Sequence, residues 1–193
     1  MQNSKQDFMT KNPFLKKALL SAVGLALTTL VTSTNTHAFT ISSNTITAGW
    51  DTKELTFNVN EASCTGLGIS AADLNEAIDA AVETWNSVPT AGIKLVKGST
   101  TTATSTSNPP VIYCDTSLGS TIAGTGSLSV SGGRPVSGQL KLNGTNSATA
   151  YFGSITAAQR KITVTHEIGH VLGIGHSDKD YALMYYNIGS KSD

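Results

Sequence analysis

His166-Glu167-Ile168-Gly169-His170-Val171-Leu172-Gly173-Ile174-Gly175-His176 is the stretch from which the rest of this chain can be read. On a helix, the first two histidines stand at i and i+4, so their imidazoles project from one face about a turn apart and both can reach one ion. Glu167, one position on, addresses a water on that ion rather than the ion itself. Gly173 lets the backbone leave the helix sharply, and the chain can then return His176 as a third ligand. Three neutral imidazoles leave a fourth tetrahedral position for water, the arrangement of a catalytic rather than a structural zinc. The chain has four histidines, and His37 lies in the leader, so every histidine of the expected mature protein falls inside this window. Ordinary core or surface histidines would be scattered.

Downstream, Ser177 follows the third histidine, and Ala182-Leu183-Met184-Tyr185 comes a few residues later. With these residues the sequence resembles the metzincin zinc metallopeptidases, and among them the matrixins. The resemblance implies an α+β catalytic domain of zincin type, with a twisted mixed β-sheet and two main helices, the second carrying the zinc motif. It implies a secreted zinc endopeptidase acting on protein or peptide substrates, with one catalytic Zn²⁺ held by His166, His170 and His176. Glu167 is the expected general base and Met184 the Met-turn residue beneath the zinc. Upstream the likeness is less specific: Trp50 with Leu55-Thr56-Phe57 looks like the first matrixin strand, and Ala77 to Val88 like the first helix and its exit.

Several departures stand out. The aspartate that many matrixins place three residues after the last histidine is Lys179 here, flanked by Asp178 and Asp180. No further histidines exist for the second, structural zinc of animal matrixins, and no spacing places a calcium site, although calcium is compatible with such domains. The usual C-terminal helix is not expected in the seven residues after Tyr186, which would open the cleft. Matrixins usually carry proline where this chain has Tyr186. In that respect it resembles astacins and serralysins, whose tyrosine there can ligate zinc; a cleft-wall residue is the alternative.

Two readings compete with peptidase. A zinc-dependent binding module has no need of a base such as Glu167, and a structural zinc staple would recruit a fourth protein ligand.

The remaining sequence supplies the frame. Lys16 and Lys17 precede an apolar run from Ala18 to Val31, and Thr36-His37-Ala38 offers a cleavage site, so residues 1–38 read as a signal peptide and 39–193 as the catalytic domain. Met9 is a second candidate start. The run is about 14 residues where a membrane span needs roughly 20, so export with cleavage is expected rather than stable membrane association. Export places Cys64 and Cys114, the only cysteines, where disulfides persist, and they are expected to pair. A thiolate capping the zinc of a latent form would need a pro-segment that cleavage near Ala38 would remove. Beyond the leader nine basic residues face twelve acidic ones, net −3, with no basic patch, which argues against nucleic acid; a secreted or extracytoplasmic monomer is expected.

From Ile46 to Asn60 the alternation of Leu55, Phe57 and Val59 predicts a strand, and Ser70 a cap for a helix with Leu74, Ile78, Ala81, Val82 and Trp85 on one face, ending by Pro89. Trp50 and Trp85 read as core aromatics. Ile93 to Val96 and Val111 to Cys114 read as strands, and Ser99 to Pro110 as a polar loop. Thr121 to Ser131 and Gln139 to Leu142 read as short strands at a sheet margin. Ile155 to Leu172 is the second helix, with Thr156 a cap.

Overall fold

Leu55, Phe57 and Val59 point to one side of β1 (Glu54–Val59) and are buried in the computed structural model, as their period-two spacing requires. The structure describes residues 40–89 and 91–186, so residues 1–39, residue 90 and the last seven residues lie outside it. A five-residue helix, α1 (Glu61–Thr65), follows at once; it is too short for periodicity to signal and was not expected from the sequence. Asn60 starts it, its side chain accepting from the Ser63 N–H at 3.1 Å. The Ser63 hydroxyl in turn accepts from the Cys114 N–H at 3.0 Å, and Cys64 is disulfide-bonded to Cys114.

Helix α2 (Ala71–Asn86) is capped by the Ser70 side chain and buries Leu74, Ala77, Ile78 and Ala81. It stops three residues before Pro89, because Asn86 turns its carboxamide onto the next strand, donating to Leu95 O and accepting from Leu95 N. That strand, β2 (Lys94–Thr100), runs further into the Ser/Thr-rich segment than its composition suggested. Three more strands follow: β3 (Val111–Asp115), β4 (Gly124–Ser131) and β5 (Arg134–Asn143). The sheet order is β2-β1-β3-β5-β4, with β4 antiparallel to β5 and every other pairing parallel.

Of the two segments that read as margin strands, only β4 lies at an edge of the sheet. The β5 segment, read as a margin strand, is interior: Leu140 and Leu142 are fully buried, and it pairs with β3 on one side and β4 on the other. The difference arises from the turn. Gly132 (φ 58°) and Gly133 (φ 78°) supply the two consecutive left-handed residues of a tight hairpin, which joins what read as two separate short strands.

Helix α3 (Ala157–Val171) begins in a capping box made by Thr156 and Gln159. Arg160 and Lys161 tie it to α2 through Asp73 and Glu76, each at 2.9 Å. Both long helices share a core with the sheet, in which Phe57, Ile78, Leu140, Phe152, Val164 and Ile168 are fully enclosed. The fold is thus α+β with a mixed sheet, as the sequence implied. Among the described residues, no helix is long and apolar enough to cross a membrane.

The disulfide closes a 50-residue loop between α1 and β3. Loop-closure entropy puts its contribution at about 2–4 kcal/mol. Replacing both Cys64 and Cys114 by Ala is expected to lower the urea midpoint accordingly; an unchanged midpoint would show that α1 is held by Asn60 and Ser63 alone.

Candidate active site and metal centre

The face of α3 nearest β4 carries His166, Glu167 and His170. His166 and Glu167 are buried, His170 is half-buried and His176 is exposed. The helix ends at Leu172, and Gly173 takes φ 95°, the left-handed conformation that a side chain resists. Gly173 N then donates to His170 O at 3.0 Å and Ile174 N to Gly169 O at 2.9 Å. These paired bonds are a Schellman closure, which satisfies two terminal carbonyls and reverses the chain. The reversal brings Nε2 of His176 to 3.2 Å from Nε2 of His170.

The tautomers follow from the backbone. Nδ1 of His166 lies 2.9 Å from Leu183 O, and Nδ1 of His170 lies 2.8 Å from Ile174 O. A carbonyl can only accept, so both Nδ1 atoms carry the proton and both Nε2 atoms present lone pairs. Burial also lowers the pKa of His170, opposed by its bond to the Ile174 carbonyl and reinforced by nearby His176, which favours the neutral ring a metal requires. The ligand nitrogens of the three rings all lie within 4.8 Å of one another. A tetrahedral zinc with bonds near 2.0–2.1 Å would set its nitrogens about 3.3 Å apart, close to the 3.2 Å between Nε2 of His170 and Nε2 of His176. The donor chemistry and the oriented lone pairs fit zinc.

Glu167 is held separately. Its Oε2 accepts the Gly126 N–H of β4 at 2.7 Å. Burial pushes its carboxyl up to about 7, with the Gly126 N–H pulling the other way. This contact demands glycine: a β-carbon at Gly126 would lie 2.9 Å from the Glu167 carbonyl carbon and 3.0 Å from Cβ of His170. At Gly124 it would meet Thr163 and Glu167 side chains at 3.1 and 3.2 Å. The Gly-Thr-Gly run of β4 is the available sequence signal; the sequence suggests a strand edge that could pair with substrate there, but not the close approach to Glu167.

Met184 is buried against α3 where Gly169 leaves room, since a β-carbon there would come within 2.9 Å of the methionine methyl. Its loop is closed by Ser177 N donating to Met184 O at 2.6 Å. Trp85 and Trp50 are half-buried against the core, but their indole N–H groups donate to α3 carbonyls, Thr165 O and Val171 O, both at 2.9 Å. From sequence alone the two indoles read as core aromatics, and their hydrogen bonds to α3 are an addition. Lys179 turns to Asp178 at 3.2 Å on the exposed surface.

A cleft of about 670 Å³ opens over the three histidines and Glu167, walled by Ile122, Gly124, Ile162 and Tyr186 among others. Tyr186 is 64% exposed, and its ring lies 4.4 Å from that of Tyr185.

In metal-free protein, a carboxyl raised to about 7 favours folding only while protonated, and that stability is lost as pH rises from its unfolded value near 4.5 through 7. Metal-free Glu167→Gln, always neutral, should be more stable than the metal-free parent at pH 8 by roughly 3 kcal/mol, with little difference at pH 4. Thermal melts across that range check it; parallel curves would mean the buried carboxyl is not destabilised.

A model of the matrixin peptidase family matches residues 49–193. No curated protein matches the chain at a significant level.

Proposed function

This chain belongs to the matrixins, the zinc-dependent endopeptidases that hydrolyse proteins, and we propose that its peptidase site consists of His166, His170 and His176 as zinc ligands with Glu167 as general base. The observation that carries this assignment is the convergence of three imidazole ligand nitrogens beside one buried carboxylate at the floor of a single cleft. When bound there, zinc supplies Lewis-acid polarisation of the scissile carbonyl and acidifies the attacking water.

Glu167 takes the proton from that water and delivers it to the leaving amine. A carboxyl tuned close to neutrality suits both halves of the transfer, and its bond to the Gly126 N–H holds one oxygen still. His166 and His170 keep fixed ring orientations through Leu183 and Ile174. Met184 supports the floor from below. β4 is the sheet edge beside the cleft, so an extended substrate would add to it as a further strand.

Tyr186 is proposed to serve the transition state. Its exposure and its place on the cleft wall support this reading: a phenol there would donate a hydrogen bond to the reacting carbonyl oxygen as negative charge develops.

Residues 1–38 are proposed to direct export and to be removed, leaving a monomeric extracytoplasmic catalytic domain from residue 39 onward. The Cys64–Cys114 disulfide supports an oxidising destination.

Casein cleavage that is abolished by a chelator and restored by zinc tests the activity. His176→Ala should lower zinc content from about one per chain. Glu167→Ala should keep the zinc but lose more than about 100-fold in turnover, because both proton transfer and orientation of the water are lost. Loss of metal in that variant would overturn the base assignment. Tyr186→Phe should lower kcat by about 10 to 1,000-fold, with KM and zinc content little changed. An unchanged kcat would return Tyr186 to the cleft wall.

A further inference from the structure

His166 and His170 are held by a helix and by carbonyl partners; His176 is not on the helix, and it is exposed. Its loop is instead gripped by a segment far away in sequence. Ile41 forms an antiparallel bridge with Ile174. Ser42 N donates to Gly173 O at 2.9 Å, and Gly175 N donates to Thr40 O at 2.6 Å. The Thr40 hydroxyl donates to the carbonyl oxygen of His176 itself at 3.0 Å. Approach this close explains why residue 175 is glycine: a β-carbon there would sit 3.1 Å from Ile41 O and 3.2 Å from its carbonyl carbon.

The segment is anchored beyond the contact as well. Ile46 reaches Gly173, where a β-carbon would meet its Cδ1 at 3.4 Å. Thr47 and Ala48 both donate to Gly133 O in the β4–β5 turn, at 2.9 and 3.1 Å. Trp50 then donates its indole N–H to Val171 O. Residues 40–50 thus span from the third histidine to the hairpin turn and back to the end of α3.

We infer that Thr40–Ser42 is a positioning strap for the third zinc ligand, holding the backbone of Gly173–His176 in the conformation that keeps the His176 imidazole beside His170. The strap touches neither substrate nor metal and acts through His176, so it rests on the assignment of that residue as a ligand. Its thermodynamic effect is preorganisation: without it the ion must order the Gly175–His176 backbone on binding, and affinity falls by the cost of that ordering.

The test uses full-length variants that leave every histidine in place. Ser42→Pro removes the N–H given to Gly173 O, and the preceding residue, Ile41, is already bridged in extended backbone of the kind proline tolerates. Thr40→Val removes the hydroxyl given to His176 O at nearly constant shape, whereas Thr40→Ser keeps it. Zinc affinity is measured by competition with a chromophoric chelator, and the melting temperature of each metal-free protein is recorded alongside. Affinity should fall about 10-fold in Ser42→Pro and about 3- to 5-fold in Thr40→Val, with Thr40→Ser within about twofold of the parent. Metal-free melting temperatures should stay within about 2 °C. Unchanged zinc affinity in Ser42→Pro and Thr40→Val overturns the strap, as does a fall that merely tracks lower metal-free stability. Should Ser42→Pro not fold, Thr40→Val against Thr40→Ser decides. A parent that binds no zinc, by contrast, removes the ligand assignment itself and the strap with it.

Discussion

The backbone of β4 lies against the backbone of α3, and the catalytic arrangement depends on that contact. Side chains ordinarily hold a strand away from a helix; here Gly124 and Gly126 remove the spacer, and a peptide N–H reaches a helix carboxylate directly. A methyl group at residue 126 would press on the helix backbone, which cannot yield as a side chain can, so strand and helix would have to separate. Two consequences follow from one constraint. Glu167 is fixed by a donor that does not rotate, and the sheet edge lies close enough to the histidines for a strand-like ligand to lie across both.

Around that contact, backbone carbonyls do most of the orienting. Leu183 and Ile174 set the tautomers of two histidines, while Thr165 and Val171 receive the indoles of Trp85 and Trp50. Such carbonyls occupy places dictated by chain path alone. The Schellman closure at Gly173 therefore matters twice: it returns His176 to the site and sets the Ile174 carbonyl under His170.

Much of this was legible in the sequence wherever chemistry follows spacing along one element. The i, i+4 histidines, the glycine exit, the Ser70 and Thr156 caps and the alternating β1 residues all encode their geometry locally, and the structure places them as expected. Features resting on long-range approach were not legible. Nothing local distinguishes a glycine that spares room for a helix from one that merely weakens a strand, so Gly126 was missed. Trp50 and Trp85 were assigned to packing because an indole's hydrogen-bond acceptor is chosen by tertiary structure. Placing β5 inside the sheet required knowing that β3 pairs with it across the intervening loop. Residues 1–38, which read as a signal peptide, fall outside the described residues, and that reading rests on composition.

The two tryptophans have a consequence of an optical kind. The chain contains no others, and each makes its indole hydrogen bond to the same helix, one at Thr165 beside the first histidine and one at the last turn. Indole emission depends on the polarity and hydrogen bonding of the ring, so the ultraviolet fluorescence of this protein is in effect a spectroscopic gauge fitted to α3. A wavelength shift would register fraying of that helix or rotation of its ends, without any dye or label, while much of the molecule remained silent.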